Sequence, residues 1–152
     1  MDTSSHCAAS SRASDTPSPD RRVSQHAGRL SVLLEGLTAA HLDGLLLTSL
    51  PNIRYLTGFS GTSALLFVSH RDTLLITDFR YQTQVRDEVA DGVRVVIEGQ
   101  SLWTGLWAQL GQQQSVSVAG FESANLLHRD FQRLLEQGSR YQWRPTLDLV
   151  ER

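Results

Sequence analysis

Apolar and polar positions follow first a helical and then a strand-like period in the first third of the chain. Four leucines recur at the i, i+3, i+4, i+7 spacing of one helix face: Leu30, Leu33, Leu34 and Leu37. This pattern predicts a helix that ends near His41, with Gly44 close behind. The short apolar run at 45–47 is then typical of a buried strand.

Two apolar runs around a polar break predict a β-hairpin in the middle of the chain. The strands are predicted at residues 64–68 and 74–77, joined around residues 70–72. Before them, Pro51 suits the first turn of a short helix over residues 52–56. Gly58 and Gly61 bracket the loop between this helix and the hairpin.

Strands and helices continue to alternate in the second half. The pattern predicts helices at 80–89, from Trp103 to Gly111 and from Leu127 to Gly138, and strands at 93–97, 116–121 and 141–144. Six strands that alternate with helices indicate an α/β layer fold. The hairpin makes one strand pair antiparallel, so the sheet is predicted to be mixed.

Composition favours one soluble domain with an N-terminal tail. Residues 1–22 are rich in Ser, Thr, Pro and Ala, and we expect them to be disordered, with the domain at 23–152. The formal net charge of the chain is -2, without charged blocks, which argues against nucleic acid as a partner. No apolar stretch reaches the ~20 residues of a membrane span, and no secretory signal is visible. We therefore expect no membrane partner and a cytoplasmic location.

Residue usage excludes several kinds of site. Cys7 is the only cysteine, which excludes an intramolecular disulfide and a cysteine-based zinc site. All 14 basic residues are arginine, which excludes a Walker-type phosphate loop, a Schiff-base lysine and a Ser-Lys pair. The five histidines form no His-x-x-x-His or His-Glu-x-x-His motif, so no metal site is predicted.

The sequence Gly58-Phe59-Ser60-Gly61 looks superficially like a catalytic turn. A nucleophile elbow needs Gly-x-Ser-x-Gly on a strand-to-helix turn, whereas here the second glycine comes one residue early and a strand follows. We interpret the two glycines as conformational, allowing positive φ or close approach of the backbone.

Two clusters keep a structural and a functional interpretation open. Asp78, Arg80 and Tyr81 follow an apolar strand, where ligands of α/β sheets gather, but Asp78 could also cap the next helix or pair with Arg80. Trp103 and Trp107 lie one helical turn apart, as in a core stripe, although one of them could face an oligomer or interdomain surface.

Two segments together resemble the N-terminal domain of the creatinase/prolidase/Xaa-Pro aminopeptidase family. They are NIRYLTGFSG at 52–61 and ITDFRY at 76–81. Gln84 also stands where bacterial Xaa-Pro aminopeptidases tend to carry Gln. The resemblance extends over residues 22–152 and implies a mixed six-stranded sheet flanked by helices. In the family this domain precedes a "pita-bread" catalytic domain that holds two divalent ions, often Mn²⁺, Co²⁺ or Zn²⁺, and cleaves the bond before proline.

The resemblance also implies what this chain does and does not do. The family's N-terminal domain supports oligomerisation and lines the active-site cleft, and residues in cleft or interface positions here are Tyr55, Phe59, Asp78, Arg80 and Tyr81. The family's catalytic domain, which carries the metal ligands, would begin where the sequence stops at Arg152. We therefore expect no cofactor in this chain and no hydrolysis by it alone. The expected partners are a second copy or a pita-bread domain, with proline-containing peptides bound by the complete enzyme.

Two alternatives remain open. The chain could be a free-standing small-ligand or protein-interaction module that kept the fold without peptidase activity. A less favoured alternative is an independent hydrolase that uses Ser60 or the Asp78 region.

Overall fold

The apolar runs of the sequence form one sheet, and the remaining periodic segments form helices on both of its faces. The computed structural model describes residues 19–151, with side chains from Gln25 onward. The elements in chain order are α1 (Pro19–Ala39), β1 (Gly44–Leu47), α2 (Leu50–Thr57), β2 (Ala64–Ser69), β3 (Thr73–Asp78), a 3₁₀ turn (Phe79–Tyr81), α3 (Gln84–Glu88), β4 (Arg94–Glu98), α4 (Leu102–Leu110), β5 (Val118–Glu122), α5 (His128–Gln137) and β6 (Gln142–Thr146).

The sheet has six strands in the order β4-β3-β2-β1-β5-β6. Strand β2 pairs antiparallel with both β1 and β3, and the other neighbouring pairs are parallel. The predicted mixed six-stranded α/β fold is therefore confirmed. Because β2 alone runs antiparallel to the other five strands, its first residues lie at the same edge of the sheet as their carboxyl ends, directly beside those of β1 and β3.

Two hydrophobic cores lie on opposite faces of the sheet. On one face, Leu45 and Leu47 of β1 belong to the cluster that includes residues of α1, α2 and α3. On the other face, Leu46 belongs to the cluster that includes residues of α4 and α5. All three leucines are fully buried, and burial of each such side chain contributes about 2 kcal/mol. This explains why β1 reads as a continuous apolar run rather than an alternating one.

The single helix predicted at 80–89 is wrong. The chain forms the 3₁₀ turn Phe79–Tyr81 and then the short helix α3, which ends at Glu88. Tyr81 lies in this turn and not on a helix face. Its ring packs edge-on against the Phe59 ring, with the ring centroids 5.3 Å apart. This long-range contact overrides the spacing by four that suggested one continuous helix.

Helix α1 and strand β6 extend beyond the residues that the sequence pattern predicted for them. Helix α1 begins at Pro19, four residues before the predicted domain start, and residues 1–18 of the predicted tail lie outside the described residues. Strand β6 continues through Pro145 to Thr146, although the prediction ended it at residue 144. The edge position of β6 tolerates a residue without an N–H, because an edge strand pairs on one side only.

Between residues 19 and 151, no helix is long and apolar enough to cross a bilayer.

The conformational interpretation of the two loop glycines is confirmed. Gly58 ends α2 with φ of 85°, and its N–H donates to the carbonyl oxygen of Arg54 at 2.8 Å. A Cβ at Gly58 would lie 2.5 Å from the carbonyl oxygen of Glu88, and one at Gly61 would overlap the Phe59 ring. Gly58 therefore combines a backbone conformation that favours glycine with a close approach to α3.

We predict that Gly58→Ala lowers the free energy of unfolding by more than Gly92→Ala. Gly92 has φ of 88° but open space around a Cβ, so alanine there costs only the backbone strain, about 1 kcal/mol. Gly58→Ala adds the collision with Glu88 and should cost at least about 2 kcal/mol. Urea unfolding of both variants measures the difference, and equal losses would show that the approach to α3 is not tight.

Candidate functional site

The sheet topology gathers several polar loops at one edge. The carboxyl ends of β1, β3 and β5 lie there, together with the loop at 58–63 that leads into the backwards strand β2. Ligand sites of α/β sheets form at such an edge, because the loops there converge while the strands hold them in place. Phe59, Asp78, Arg80 and Tyr81, four of the five predicted site residues, lie on these loops.

Ser60 anchors its loop to α3. Its hydroxyl donates to one carboxylate oxygen of Glu88 at 2.6 Å, and its backbone N–H donates to the other at 2.9 Å. Gln84 Nε2 donates to the Ser60 hydroxyl at 3.0 Å and to Glu88 at 3.1 Å. The partners of the hydroxyl are thus a carboxylate and an amide, without a histidine base, and the arrangement is that of a loop anchor rather than of a nucleophile.

The same contacts keep Glu88 ionised. Partial burial by itself raises the pKa of the carboxyl, but the hydrogen bonds from Ser60 and Gln84 and the charge of Arg54 outweigh it and lower the pKa below its ordinary value. Because the folded state favours the charged form, Glu88 stabilises the fold above its unfolded pKa. That stabilisation is lost as the pH falls through its lower folded pKa.

Asp78 both caps the 3₁₀ turn and forms an ion pair with Arg80. Its carboxylate accepts from the backbone N–H of Arg80 at 3.0 Å, which caps the 3₁₀ turn, and from Arg80 Nε and Nη2 at 2.9 and 2.8 Å. The hydrogen bond from the Arg80 side chain is the main cause that lowers the pKa of Asp78. The pair is open to solvent, with the Arg80 side chain 61% exposed, so its contribution to stability is small.

Phe59 and Tyr81 are less accessible than Arg80. Phe59 is only 1% exposed and belongs to the core beneath the loop. Tyr81 packs on it, and its hydroxyl contacts Thr62 Oγ1 at 2.6 Å while accepting the Thr62 N–H at 3.2 Å. These hydrogen bonds from Thr62 are the largest causes that lower the pKa of the Tyr81 hydroxyl. The Phe59–Tyr81 pair thus joins the loop to the 3₁₀ turn.

Phe79 was missed by sequence reasoning, although it is the most exposed large apolar side chain of the described residues, at 64%. The apolar pattern that predicts the preceding strand ends before Phe79. The 3₁₀ turn that contains Phe79 has only three residues, which is too short to show a periodic apolar pattern. The only available signal was its place between two residues already singled out.

Tyr55 lies apart from the Asp78 group, on the last turn of α2. Its ring is 45% exposed and lies beneath the guanidinium of Arg29, 4.1 Å from the ring centroid. Its carbonyl oxygen accepts from Arg29 Nη1 at 2.8 Å and from His26 Nδ1 at 3.1 Å. Two α1 side chains therefore cap the carboxyl end of α2, where the helix dipole favours cations.

A cleft of about 980 Å³ has residues of both the Tyr55 and the Glu88 groups in its lining. The lining includes Arg29 and Arg54 as well as Asp87 and Glu88, so it carries side chains of both charge signs. Such a cleft can accept a polar or zwitterionic ligand. Among residues 19–151, no group of three His, Cys, Asp or Glu side chains could hold a metal ion.

A second polar centre, at Glu122, was also missed. This carboxylate ends β5, is 8% exposed, and accepts the backbone N–H groups of Thr48 and Ser49, both at 3.0 Å. It also accepts a hydrogen bond from the Asn52 side chain. The three donors lie about 70 residues away along the chain, so no local pattern could have revealed them.

These features agree with a match over most of the chain. Residues 29–152 match the family model described as the creatinase/prolidase N-terminal domain. The chain belongs to this family. The match includes α2 with its loop and the Asp78 turn, the two segments on which the resemblance was first noted.

Known relatives and structures agree with the assignment. An Xaa-Pro aminopeptidase structure from Streptococcus pyogenes superposes with a TM-score of 0.76 at 29% identity, covering 84% of this chain and 96% of that chain. The N-terminal domain of the cytoplasmic peptidase PepQ from Mycobacterium tuberculosis H37Rv has a TM-score of 0.73 at 32% identity, covering 82% and 96%.

A curated relative is much longer than this chain. The "Uncharacterized peptidase YqhT" of Bacillus subtilis (strain 168) is 43% identical over 61 residues, which are 40% of this chain and 17% of that protein. The matched stretch therefore spans less than a fifth of the relative.

We predict that Ser60→Ala raises the pKa of Glu88, because it removes one hydrogen bond to the charged form while the Ser60 N–H remains. NMR titration of the Glu88 carboxyl carbon measures the shift. The loss of stability should be largest at neutral pH and shrink in acid, where the Glu88 carboxylate is protonated in wild type as well. Ser101→Ala is the matched control, because Ser101 makes no side-chain capping bond. An unchanged Glu88 pKa in Ser60→Ala would contradict the anchor.

Proposed function

We propose that this chain is the non-catalytic N-terminal domain of an Xaa-Pro aminopeptidase-like protein. The observation that carries the proposal is the family match over residues 29–152, together with the fold shared with the S. pyogenes Xaa-Pro aminopeptidase over 96% of that chain. Its partner would be a pita-bread domain that holds two divalent metal ions, and its substrates, through the complete enzyme, would be proline-containing peptides. The name of the M. tuberculosis relative supports the cytoplasm as its compartment.

The exposed turn after β3 supports a role at an interface. Phe79 is 64% exposed, and the Arg80 side chain beside it is 61% exposed. Aromatic residues and arginine are enriched where proteins meet, because a rigid ring buries a large area at little entropic cost and a planar guanidinium can donate several hydrogen bonds at once. We propose that Phe79 and Arg80 contact a neighbouring subunit or line the cleft of its catalytic domain.

The backbone around this turn is held rigidly enough for such a task. Asp78 fixes the turn and orients the Arg80 guanidinium through two hydrogen bonds, while Tyr81 fastens the other end of the turn to Phe59 and Thr62. A preorganised turn presents its exposed side chains at little entropic cost on binding. In this proposal Asp78 and Tyr81 position the contact, and Phe59 supports it from the core.

The cleft between Tyr55 and Glu88 favours the second candidate function, a free-standing small-ligand module. Its volume of about 980 Å³ and its lining, which carries both acidic and basic side chains, fit a small polar molecule. A thermal-shift screen of metabolites tests this candidate. Saturable stabilisation that is lost in Arg54→Ala would favour it over the peptidase domain.

The direct test of the proposed function is a complementation assay. This chain, alone and mixed with the separately produced catalytic domain of a two-domain Xaa-Pro aminopeptidase, is assayed on an Xaa-Pro-Xaa peptide with Mn²⁺. We expect activity above that of the catalytic domain only in the mixture, with that enzyme's own N-terminal domain as the positive control. Cleavage by this chain alone would refute a non-catalytic role, and no gain where the positive control succeeds would favour the free-standing module.

We further predict that Phe79→Ser weakens self-association or binding of the catalytic domain about tenfold or more, as expected for an aromatic interface residue. Sedimentation velocity over a concentration series measures it. Leu135→Ser, a comparable exposed apolar residue at 53% on α5, is the matched control and should leave association unchanged. Equal effects of both variants would argue against a specific contact at the Asp78 turn.

A further inference from the structure

The side-chain amide of Asn52 joins two carboxylates that belong to distant parts of the chain. Its Nδ2 donates to Glu122 Oε2 at the end of β5 and to Glu151 Oε1, at 2.8 Å, beyond the last strand. Asn52 is 7% exposed and lies in the first turn of α2. One amide group therefore connects α2, β5 and the segment that follows β6.

Glu122 holds this amide in place. One of its oxygens accepts the N–H groups of Thr48 and Ser49, so the buried carboxylate cannot rotate without losing them. Its other oxygen faces Asn52. The orientation of the Asn52 amide is thus set from the side of the sheet, and its second hydrogen is directed to Glu151.

The segment 147–151 turns back toward the sheet to reach this amide. Leu147 is 60% exposed, and Asp148 then adopts φ of 55°, a left-handed conformation that reverses the chain direction at a cost. Leu149 and Val150 follow as partly buried side chains on the core that includes α1 and α2. A strained residue persists where surrounding contacts compensate it, and these contacts are the two apolar side chains and the Glu151 bond.

We propose that Asn52 is a positioning residue: its amide, oriented by Glu122, binds Glu151 and fixes the direction in which the chain leaves the sheet after β6. Leu149 and Val150, together with Val32 and Tyr55, line a groove beside this segment. The consequence for a following domain rests on the proposed function. If a catalytic domain continues after Arg152, Asn52 sets where that domain starts relative to this groove.

Among side chains of its size, asparagine is the one that offers two donors at this position. An aspartate at position 52 would place a third carboxylate between Glu122 and Glu151, and an alanine would leave the buried Glu122 oxygen without its donor. A serine offers a single hydrogen for two acceptors. The requirement for two donors explains why asparagine stands here although it lies among buried apolar residues.

Backbone ¹⁵N relaxation of the 152-residue chain tests the proposal at the exposed end of the bond, where substitution does not endanger folding. In Glu151→Ala, the order parameters of the amides of residues 147–151 should fall below ~0.6, the range of flexible backbone, because the charge-assisted hydrogen bond that holds the segment is lost. Glu151→Gln keeps an acceptor oxygen and should give order parameters close to wild type. Leu147→Ala is the control on the same segment and should change nothing, since that side chain is exposed.

The pattern over the whole chain decides between positioning and general stability. We expect the amides of β1, α2 and β5 to keep their wild-type order parameters in Glu151→Ala. Unchanged order parameters at 147–151, or an equal decrease throughout the sheet, would overturn the proposal. The measurement needs no peptidase activity, so failure of the complementation assay would refute the proposed function and leave this result standing.

Discussion

Burial of the central strands on both faces is the constraint on which the rest of the structure depends. The side chains of β1 alternate between two cores, so helices must cover the sheet on each side. Backbone polar groups of these strands are satisfied within the sheet, and the chain becomes polar and irregular only where strands end. Five of the six strands point the same way, and β2 starts at their carboxyl ends. The loops that carry polar side chains therefore collect at one edge of the sheet.

Two carboxylates organise that edge in different ways. Glu88 reaches across from α3 to fasten the loop at Ser60, and it remains ionised because its hydrogen bonds outweigh its burial. Glu122 is more deeply buried and is satisfied by N–H donors from the turn after β1 and from Asn52. Both act as acceptors for groups that would otherwise be unpaired, so the polar residues of the edge first serve the fold. The contact that we propose is then made by side chains left exposed, Phe79 and Arg80.

Sequence reasoning succeeded where the physical cause is local. Leucine spacing predicts α1, the apolar runs predict the hairpin, and glycine chemistry accounts for Gly58, whose φ is 85°. It failed at 80–89, where spacing by four suggested one helix, because the contact of Tyr81 with Phe59 joins positions 22 residues apart. The exposure of Phe79 and the donors to Glu122 were likewise beyond local patterns, since both depend on which strand ends meet.

By itself, the sequence determined the α/β class, the mixed sheet with its hairpin, the family resemblance and the loop that needs two glycines. These follow from side-chain periodicity and backbone sterics, which act over a few residues. The tertiary structure alone decided that Phe59 belongs to the core while Phe79 faces solvent, that Ser60 is bound to Glu88, and that Asn52 links Glu122 to Glu151. Hydrogen bonds and burial depend on distances in space, and the strand order brings together groups separated by up to 99 residues.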